Sequence, residues 1–292
     1  MTIALLGTGL LGSAIGRRLL ECGHPLTVWN RSLQRSDALV AAGARRAATP
    51  AEAASGAEWL ITVLSDGPIT AAVLLDGVGA ELTGRRVLQM GTIGVGESLA
   101  LAEAVNARGG RYLEAPVLGS RPEALAGSLQ LMAGGPADLL EEALPVLRDL
   151  APAPQHLGEV GSAMAAKLAL NQLIASLTHS FSLSLHLVQQ QGVDPQAFMA
   201  LLRGSALYAP TFDKKLEREL SGDYSNPNFP TAHLRKDLAL FLREAAAGGL
   251  NSSGLDGLLS LLQGATAAGL DAHDYCALHA LTAGRATAAT QR

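Results

Sequence analysis

The sequence predicts a two-part α/β chain, with a mainly parallel β-sheet flanked by helices in its first half and an almost wholly helical second half. The first observation is alternation. The β-rich runs Ile3 to Leu6, Leu26 to Trp29, Trp59 to Leu64, Arg86 to Met90, Arg111 to Leu113 and Leu129 to Met132 are separated by Ala/Leu-rich helical stretches, the pattern of βαβ units. The second is a change of texture near Gly161, after which long helical patterns are broken only at Gly192-Val193-Asp194-Pro195 and from Ser221 to Pro230. The third is size: 292 residues, 48% of them hydrophobic, supply two buried cores, assigned to domains 1–160 and 161–292.

In chain order, the first strand runs directly into Gly7-Thr8-Gly9-Leu10-Leu11-Gly12 and then a helical stretch from Ser13 to Leu20. The second strand ends at Asn30. In the second half, Ser180-Phe181-Ser182-Leu183-Ser184-Leu185 alternates with period two, which by itself favours a strand. Its place inside a long, proline-free apolar run predicts helix instead. That uncharged run, Leu168 to Val188, carries Asn171, Gln172, Ser176, Thr178, His179 and His186, groups costly in lipid, so it is predicted as a helix buried in protein. Such a helix needs cover on most sides, and a homodimer is expected to supply part of it. The last residues, ending Thr290-Gln291-Arg292, are expected to fray.

A net charge of -4, from 22 Lys+Arg against 26 Asp+Glu, gives no electrostatic case for a nucleic-acid or membrane-surface partner. Cys22 and Cys276 are too few for a disulfide scaffold or a thiolate metal cage. No metal is expected, and the cytoplasm is the expected compartment, since the chain passes from Met1 into Thr2-Ile3-Ala4 without a basic, cleavable leader. Only four of the basic residues are lysine: Lys167, Lys214, Lys215 and Lys236.

The turn Gly7 to Gly12 points to a dinucleotide. The first glycine allows the tight turn, the second lets a pyrophosphate approach the backbone, and the third lets helix and strand pack closely. Leu10 and Leu11 open the helix whose N-terminal amides would face the phosphates. Where an acid would bind the ribose of NAD, this chain has Asn30-Arg31-Ser32, with Arg35 one turn on. That set suits a 2′-phosphate, so NADP(H) is expected in preference to NAD(H).

Lys167 and Asn171, four residues apart on a predicted helix, share one face and can address one substrate atom. A carbonyl that gains a hydride needs a proton donor and a fixed hydrogen bond at its oxygen. Lysine, with an ordinary pKa of ~10.4, can be tuned for that task, whereas guanidinium stays charged. Lys236-Asp237-Leu238 forms a further signal, in which Asp237 can hold a lysine as an ion pair. Lys214 and Lys215 are expected to be solvated helix charges.

Read together, Gly7 to Gly12, Val28-Trp29-Asn30-Arg31-Ser32, Leu64-Ser65-Asp66, Met90-Gly91-Thr92, Glu114-Ala115-Pro116-Val117, Leu157 to Gly161 with Lys167 and Asn171, Phe229 to Leu238 and Asp274-Tyr275 resemble the β-hydroxyacid dehydrogenase family. Within it, the glyoxylate/succinic semialdehyde reductase branch is the most similar. The resemblance implies a Rossmann-type doubly wound parallel sheet, a long interdomain helix, an all-helical C-terminal domain for substrate and dimerisation, and homodimers or homotetramers. It also implies NAD(P)H-dependent interconversion of small hydroxy acids with aldehydes or keto acids. By the same resemblance Lys167 is the proton donor, Asn171 binds substrate, and Lys236 and Asp237 lie near the nicotinamide. Leu64, Ser65 and Thr92 line the cofactor, and Phe229 lines the substrate. The sequence departs from the family after Pro116-Val117: Leu118-Gly119-Ser120 stands where a serine and two small residues are usual. The amides of Gly119 and Ser120 and the Ser120 hydroxyl are then the candidates for an anion, while Leu118 suits a less polar substrate. Gly91, in place of a frequent serine, is expected to loosen the site. Two competing readings are an imine reductase acting on a non-carboxylate substrate and a dinucleotide-binding homologue without catalysis; retained Lys167 opposes both.

Overall fold

The computed structural model describes residues 1–283, so the expected fraying at Thr290, Gln291 and Arg292 lies outside the described residues. The chain divides into two compact units, Met1–Ala169 and Leu170–Arg292. In the first unit the strands are β1 (Ile3–Leu6), β2 (Leu26–Trp29), β3 (Arg45–Arg46), β4 (Trp59–Thr62), β5 (Arg86–Gln89), β6 (Arg111–Glu114), β7 (Val117–Leu118), β8 (Gln130–Gly134) and β9 (Gln155–Gly158). Its helices are α1 (Leu10–Glu21), α2 (Asp37–Ala41), α3 (Pro50–Ala54), α4 (Gly67–Ala71), α5 (Val95–Ala107), α6 (Arg121–Ala126) and α7 (Ala137–Leu150). α8 (Ser162–Gln190) begins in this unit and continues into the second.

The sheet runs in the order β3-β2-β1-β4-β5-β6-β8-β7, with β9 paired to β8. From β3 to β6 every neighbouring pair is parallel, and β6 to β8 and β7 to β8 are antiparallel. The apolar runs explain this arrangement. In β1, Ile3 and Leu5 enter one core while Ala4 and Leu6 enter another, so both faces of the strand are covered and the sheet is wrapped on both sides. β4 repeats the pattern, with Trp59 and Ile61 on the first face and Leu60 on the second. The first core packs α1 and α7 through Ile15, Leu19, Leu139, Val146 and Leu147; the second packs α5 through Leu101 and Val105. Three strands fall outside the β-rich runs. β3 has two exposed arginines and β9 is exposed over Gln155, His156 and Leu157, so neither carries an apolar signature, and β7 is apolar but only two residues long.

The second unit is helical throughout: the rest of α8, then α9 (Pro195–Arg203), α10 (Pro210–Ser221), α11 (Thr231–Ala247), α12 (Asp256–Ala267) and α13 (Leu278–Thr282), with short 3-10 turns between. The period-two segment Ser180 to Leu185 is helix, as its surroundings predict. Phe181 and Leu185 pack with Met199, Phe212 and Leu216, and the Phe181 and Phe212 rings stack at 4.7 Å. Ala175 joins Leu234, Leu238, Leu258 and Leu262 in a second cluster. The run Leu168 to Val188, expected to need cover on most sides, is covered only in part within the single chain. One stripe is buried, but Leu173, Leu183 and Leu187 are 50%, 51% and 60% exposed. No helix among the described residues is long and apolar enough to cross a membrane.

Candidate functional site

Because β1, β2, β4 and β5 are parallel, the loops that follow them share the carboxyl edge of the sheet, where open α/β sheets bind ligands. The glycine turn sits there. Gly7 has φ +106°, and a Cβ on it would overlap the Val63 carbonyl oxygen, while a Cβ on Gly12 would overlap the Gly7 carbonyl oxygen. A Cβ on Gly9 would meet nothing within 4 Å. The outer two glycines are therefore required by the protein's own packing, and the middle one faces open space. α1 starts at Leu10 and Leu11 without a side-chain cap and without an acid in its first turn, so its leading amides and dipole remain available to an anion. This fits a pyrophosphate.

Asn30 braces the turn: its Oδ1 accepts from Thr8 N at 3.1 Å and its Nδ2 donates to Ser32 O at 3.0 Å. Arg31, Ser32 and Arg35 follow it on the exposed surface, and neither arginine makes a side-chain ion pair among the described residues. At the end of β4, beside Leu64, the Ser65 hydroxyl donates to Asp66 Oδ2 (2.8 Å), whose other oxygen caps α4 through Ile69 N (2.9 Å). At the end of β5, Gln89 clasps Gly91 through both its amide atoms, at 3.1 and 3.2 Å, and Thr92 follows. The expectation that Gly91 loosens the site is overturned. A Cβ there would lie 2.7 Å from Leu64 O, so glycine lets the two loops close against each other.

Leu118 is half-buried in β7, paired with Gln130, and Gly119 has φ +126°. Ser120 is the N-cap of α6, and both its amide (2.8 Å) and its hydroxyl (2.7 Å) donate to Glu123 Oε2. The expected offer of these donors to a substrate anion is corrected by this capping box. Among the described residues no group of three or more His, Cys, Asp or Glu side chains is placed to hold a metal.

Lys167 and Asn171 are both buried and stand one turn apart on α8. Within the helical unit Asn171 Nδ2 donates to Asp237 Oδ2 at 2.5 Å, and Asp237 Oδ1 lies 2.9 Å from Lys236 Nζ. Asp237 thus holds the Asn171 amide in one orientation and Lys236 beside it. Phe229 packs on Tyr275 at 5.8 Å and on His233 at 6.2 Å. Burial, with the nearby Lys236 cation, pushes the His233 pKa down and favours its neutral form.

A second polar cluster lies in the same unit and corrects the expectation for Lys215. Lys214 is exposed, but Lys215 is buried, 2.7 Å from Asp274 Oδ1 and 4.5 Å above the Tyr275 ring. Asp274 also accepts from the amides of Asn228 and Cys276, at 3.3 Å each, which ties down the loop leading to α11. Burial works to raise the Asp274 pKa, but the Lys215 ammonium and the hydrogen bonds from Cys276 together hold the carboxyl below its ordinary range. Glu219 lies 3.5 Å from His279, whose ring stacks on His186 at 3.8 Å. Burial pushes Glu219 up to about 8 against the opposing pull of Lys215, and pushes His279 down to about 4 with help from His186.

The stability consequence has a definite sign. The unfolded chain releases the Glu219 proton near 4.5 and the fold keeps it to about 8. This group therefore favours the fold fully below pH 4.5, and that contribution is lost as pH rises to 8. His279 acts in the opposite direction, favouring the fold above 6.5 and losing that contribution as pH falls to 4. Glu219→Gln is expected to raise the melting temperature by several degrees at pH 8 and to change it little at pH 5. Melting curves that shift equally at both pH values would contradict this assignment.

The sequence matches a family model described as the NAD binding domain of 6-phosphogluconate dehydrogenase over residues 2–158. A second model, described as NAD-binding of NADP-dependent 3-hydroxyisobutyrate dehydrogenase, matches residues 161–282. Glyoxylate/succinic semialdehyde reductase 1 of Arabidopsis thaliana is 34% identical over 245 residues, covering 83% of this chain and 84% of that protein. Its chloroplastic counterpart, reductase 2, is 31% identical, covering 83% and 68%. The solved structure of Mycobacterium tuberculosis 3-hydroxyisobutyrate dehydrogenase with L-serine shares the fold at a TM-score of 0.85 and 24% identity, covering 96% of this chain and 98% of that one.

Proposed function

We propose, from the premise that this chain belongs to the 3-hydroxyisobutyrate dehydrogenase-like β-hydroxyacid dehydrogenases and is an NAD(P)-dependent oxidoreductase of CH–OH and carbonyl groups, that it reduces a small aldehyde or keto acid with NADPH. The observation that carries this reading is the buried Lys167 one turn before Asn171, whose amide is oriented by Asp237. The bound nicotinamide supplies the hydride that reaches the carbonyl carbon. Lys167 Nζ gives its proton to the carbonyl oxygen as the C=O π pair moves onto it, and the Asn171 side-chain amide orients that oxygen. The leading amides of α1 and the open side of Gly9 receive the pyrophosphate, and Leu64, Ser65 and Thr92, on the loops after β4 and β5, line its course.

Substrates of the glyoxylate and succinic semialdehyde type are supported by the names of the two plant relatives. With the Ser120 donors held by Glu123, a substrate carboxylate is held by other groups, and the apolar Leu118 suits a substrate lacking one; reduction of an imine is the second reading that this favours. The purified protein with NADPH should turn over glyoxylate or succinic semialdehyde faster than a cyclic imine. The reverse order would replace the first reading by the second, and tight NADPH binding without turnover of any of them would favour the non-catalytic homologue.

Preference for NADPH is supported by the absence of an acid at Asn30 and by exposed Arg31 and Arg35. Arg31→Ala is expected to weaken NADPH about tenfold, the size of one lost charge-assisted hydrogen bond, and to leave NADH affinity unchanged. Equal losses for both cofactors would remove this role. A homodimer is supported by the exposed Leu173, Leu183 and Leu187 on α8.

A further inference from the structure

Glu114 ends β6 and is fully buried, although it is a carboxylic acid that follows the buried Tyr112 and Leu113. Burying such a group is costly unless it is hydrogen-bonded. Its Oε2 accepts from the amides of Ala163 (3.2 Å) and Met164 (3.3 Å), in the first turn of α8. The Ser98 hydroxyl bonds the Tyr112 hydroxyl at 2.7 Å, and burial pushes the Glu114 carboxyl above its ordinary range despite the opposing pull of Ser98 and of the amides at the start of α8. Gly134 on β8 clears the space, since a Cβ there would come within 2.5 Å of Glu114 Oε2. The sheet is thereby fastened to the helix start by a buried polar link.

Lys167 follows Met164 by three positions and Ala163 by four, so it stands on the helix face above the two amides that Glu114 holds. Helical side chains lean toward the N-terminus of their helix, and a long side chain at 167 lies over that same turn. We propose that Glu114 is a positioning residue for Lys167: by fixing the first turn of α8 to the end of β6, it sets where the lysine ammonium is presented. The proposal rests on Lys167 being the proton donor.

The test compares Glu114→Gln, Glu114→Asp and Lys167→Ala with the unmodified protein by kcat, KM and NADPH affinity, with melting temperature as a control for folding. Gln keeps the length and an acceptor oxygen, whereas Asp keeps the carboxyl but is one methylene too short to reach the amides. Glu114→Asp is expected to lower kcat about tenfold or more, the scale of an ångström-level misplacement, with KM and NADPH affinity little changed. Glu114→Gln is expected to recover most of kcat. A Glu114→Asp enzyme with undiminished kcat, or losses equal in both variants that follow the unfolded fraction, would overturn the positioning role. If Lys167→Ala itself keeps the full rate, the premise fails and the proposal with it. An inactive Lys167→Ala beside a full-rate Glu114→Asp defeats the positioning role alone.

Discussion

Replacing Lys167 by alanine is expected to lower kcat by about 10²–10⁴-fold, the usual contribution of a positioned general acid, while NADPH affinity stays nearly intact. The two effects separate because they arise in different places. On the proposed reading the pyrophosphate is cradled by the Gly7 to Gly12 turn and the start of α1, which Lys167 does not build. On that reading the proton comes instead from the buried Lys167, one turn from an asparagine that Asp237 orients. Lys167→Arg is expected to restore little, since a guanidinium does not release its proton at neutral pH. Single-turnover NADPH oxidation together with equilibrium NADPH binding measures both quantities. A Lys167→Ala enzyme with an undiminished rate would remove lysine from the mechanism.

Replacing Lys215 by methionine is expected to destabilise the protein by about 3–5 kcal/mol, because it leaves the Asp274 carboxylate buried without its cation. The side chains of Lys215 and Asp274 are 9% and 0% exposed, so solvent cannot take over the lost partner. The damage should extend along the loop that Asp274 holds through Asn228 N, and Phe229 stands at the end of that loop. Lys214→Met, one residue earlier and exposed, should change stability by about 0.5 kcal/mol or less. Denaturant unfolding of the two variants side by side tests the contrast. Equal, small changes would return Lys215 to the solvated role that its sequence neighbourhood suggests.

The difference between these lysines shows how far the sequence could be read. The central strands were legible because β1 and β4 are apolar on both faces, and α8 because its uncharged run is too long for a strand. The glycine turn and the Lys167–Asn171 pair were legible because local spacing defines them. Links between distant positions were not: Asn171 to Asp237 spans 66 residues, Lys215 to Asp274 spans 59, and Glu114 to Ala163 spans 49. A Lys-Lys pair in an amphipathic helix looks the same whether its second member faces water or a buried aspartate. Glu114 left a faint trace, an acid closing the strand Arg111-Tyr112-Leu113-Glu114, but nothing local says that helix amides lie against it. Ser120 misled for a similar reason, since Glu123 three residues on completes a capping box that uses the donors expected to face a ligand.

Direct hydride delivery to a carbonyl carbon, with proton supply from Lys167, is open to test with NADPH deuterated at the transferring position of the nicotinamide and a small aldehyde or keto acid as acceptor, followed by mass analysis of the product. The expected product is a hydroxy acid carrying deuterium on its carbinol carbon, formed in step with NADPH loss and greatly slowed in Lys167→Ala. Bound NADPH whose label reaches no carbonyl acceptor, or label transferred at the same rate without Lys167, would contradict it.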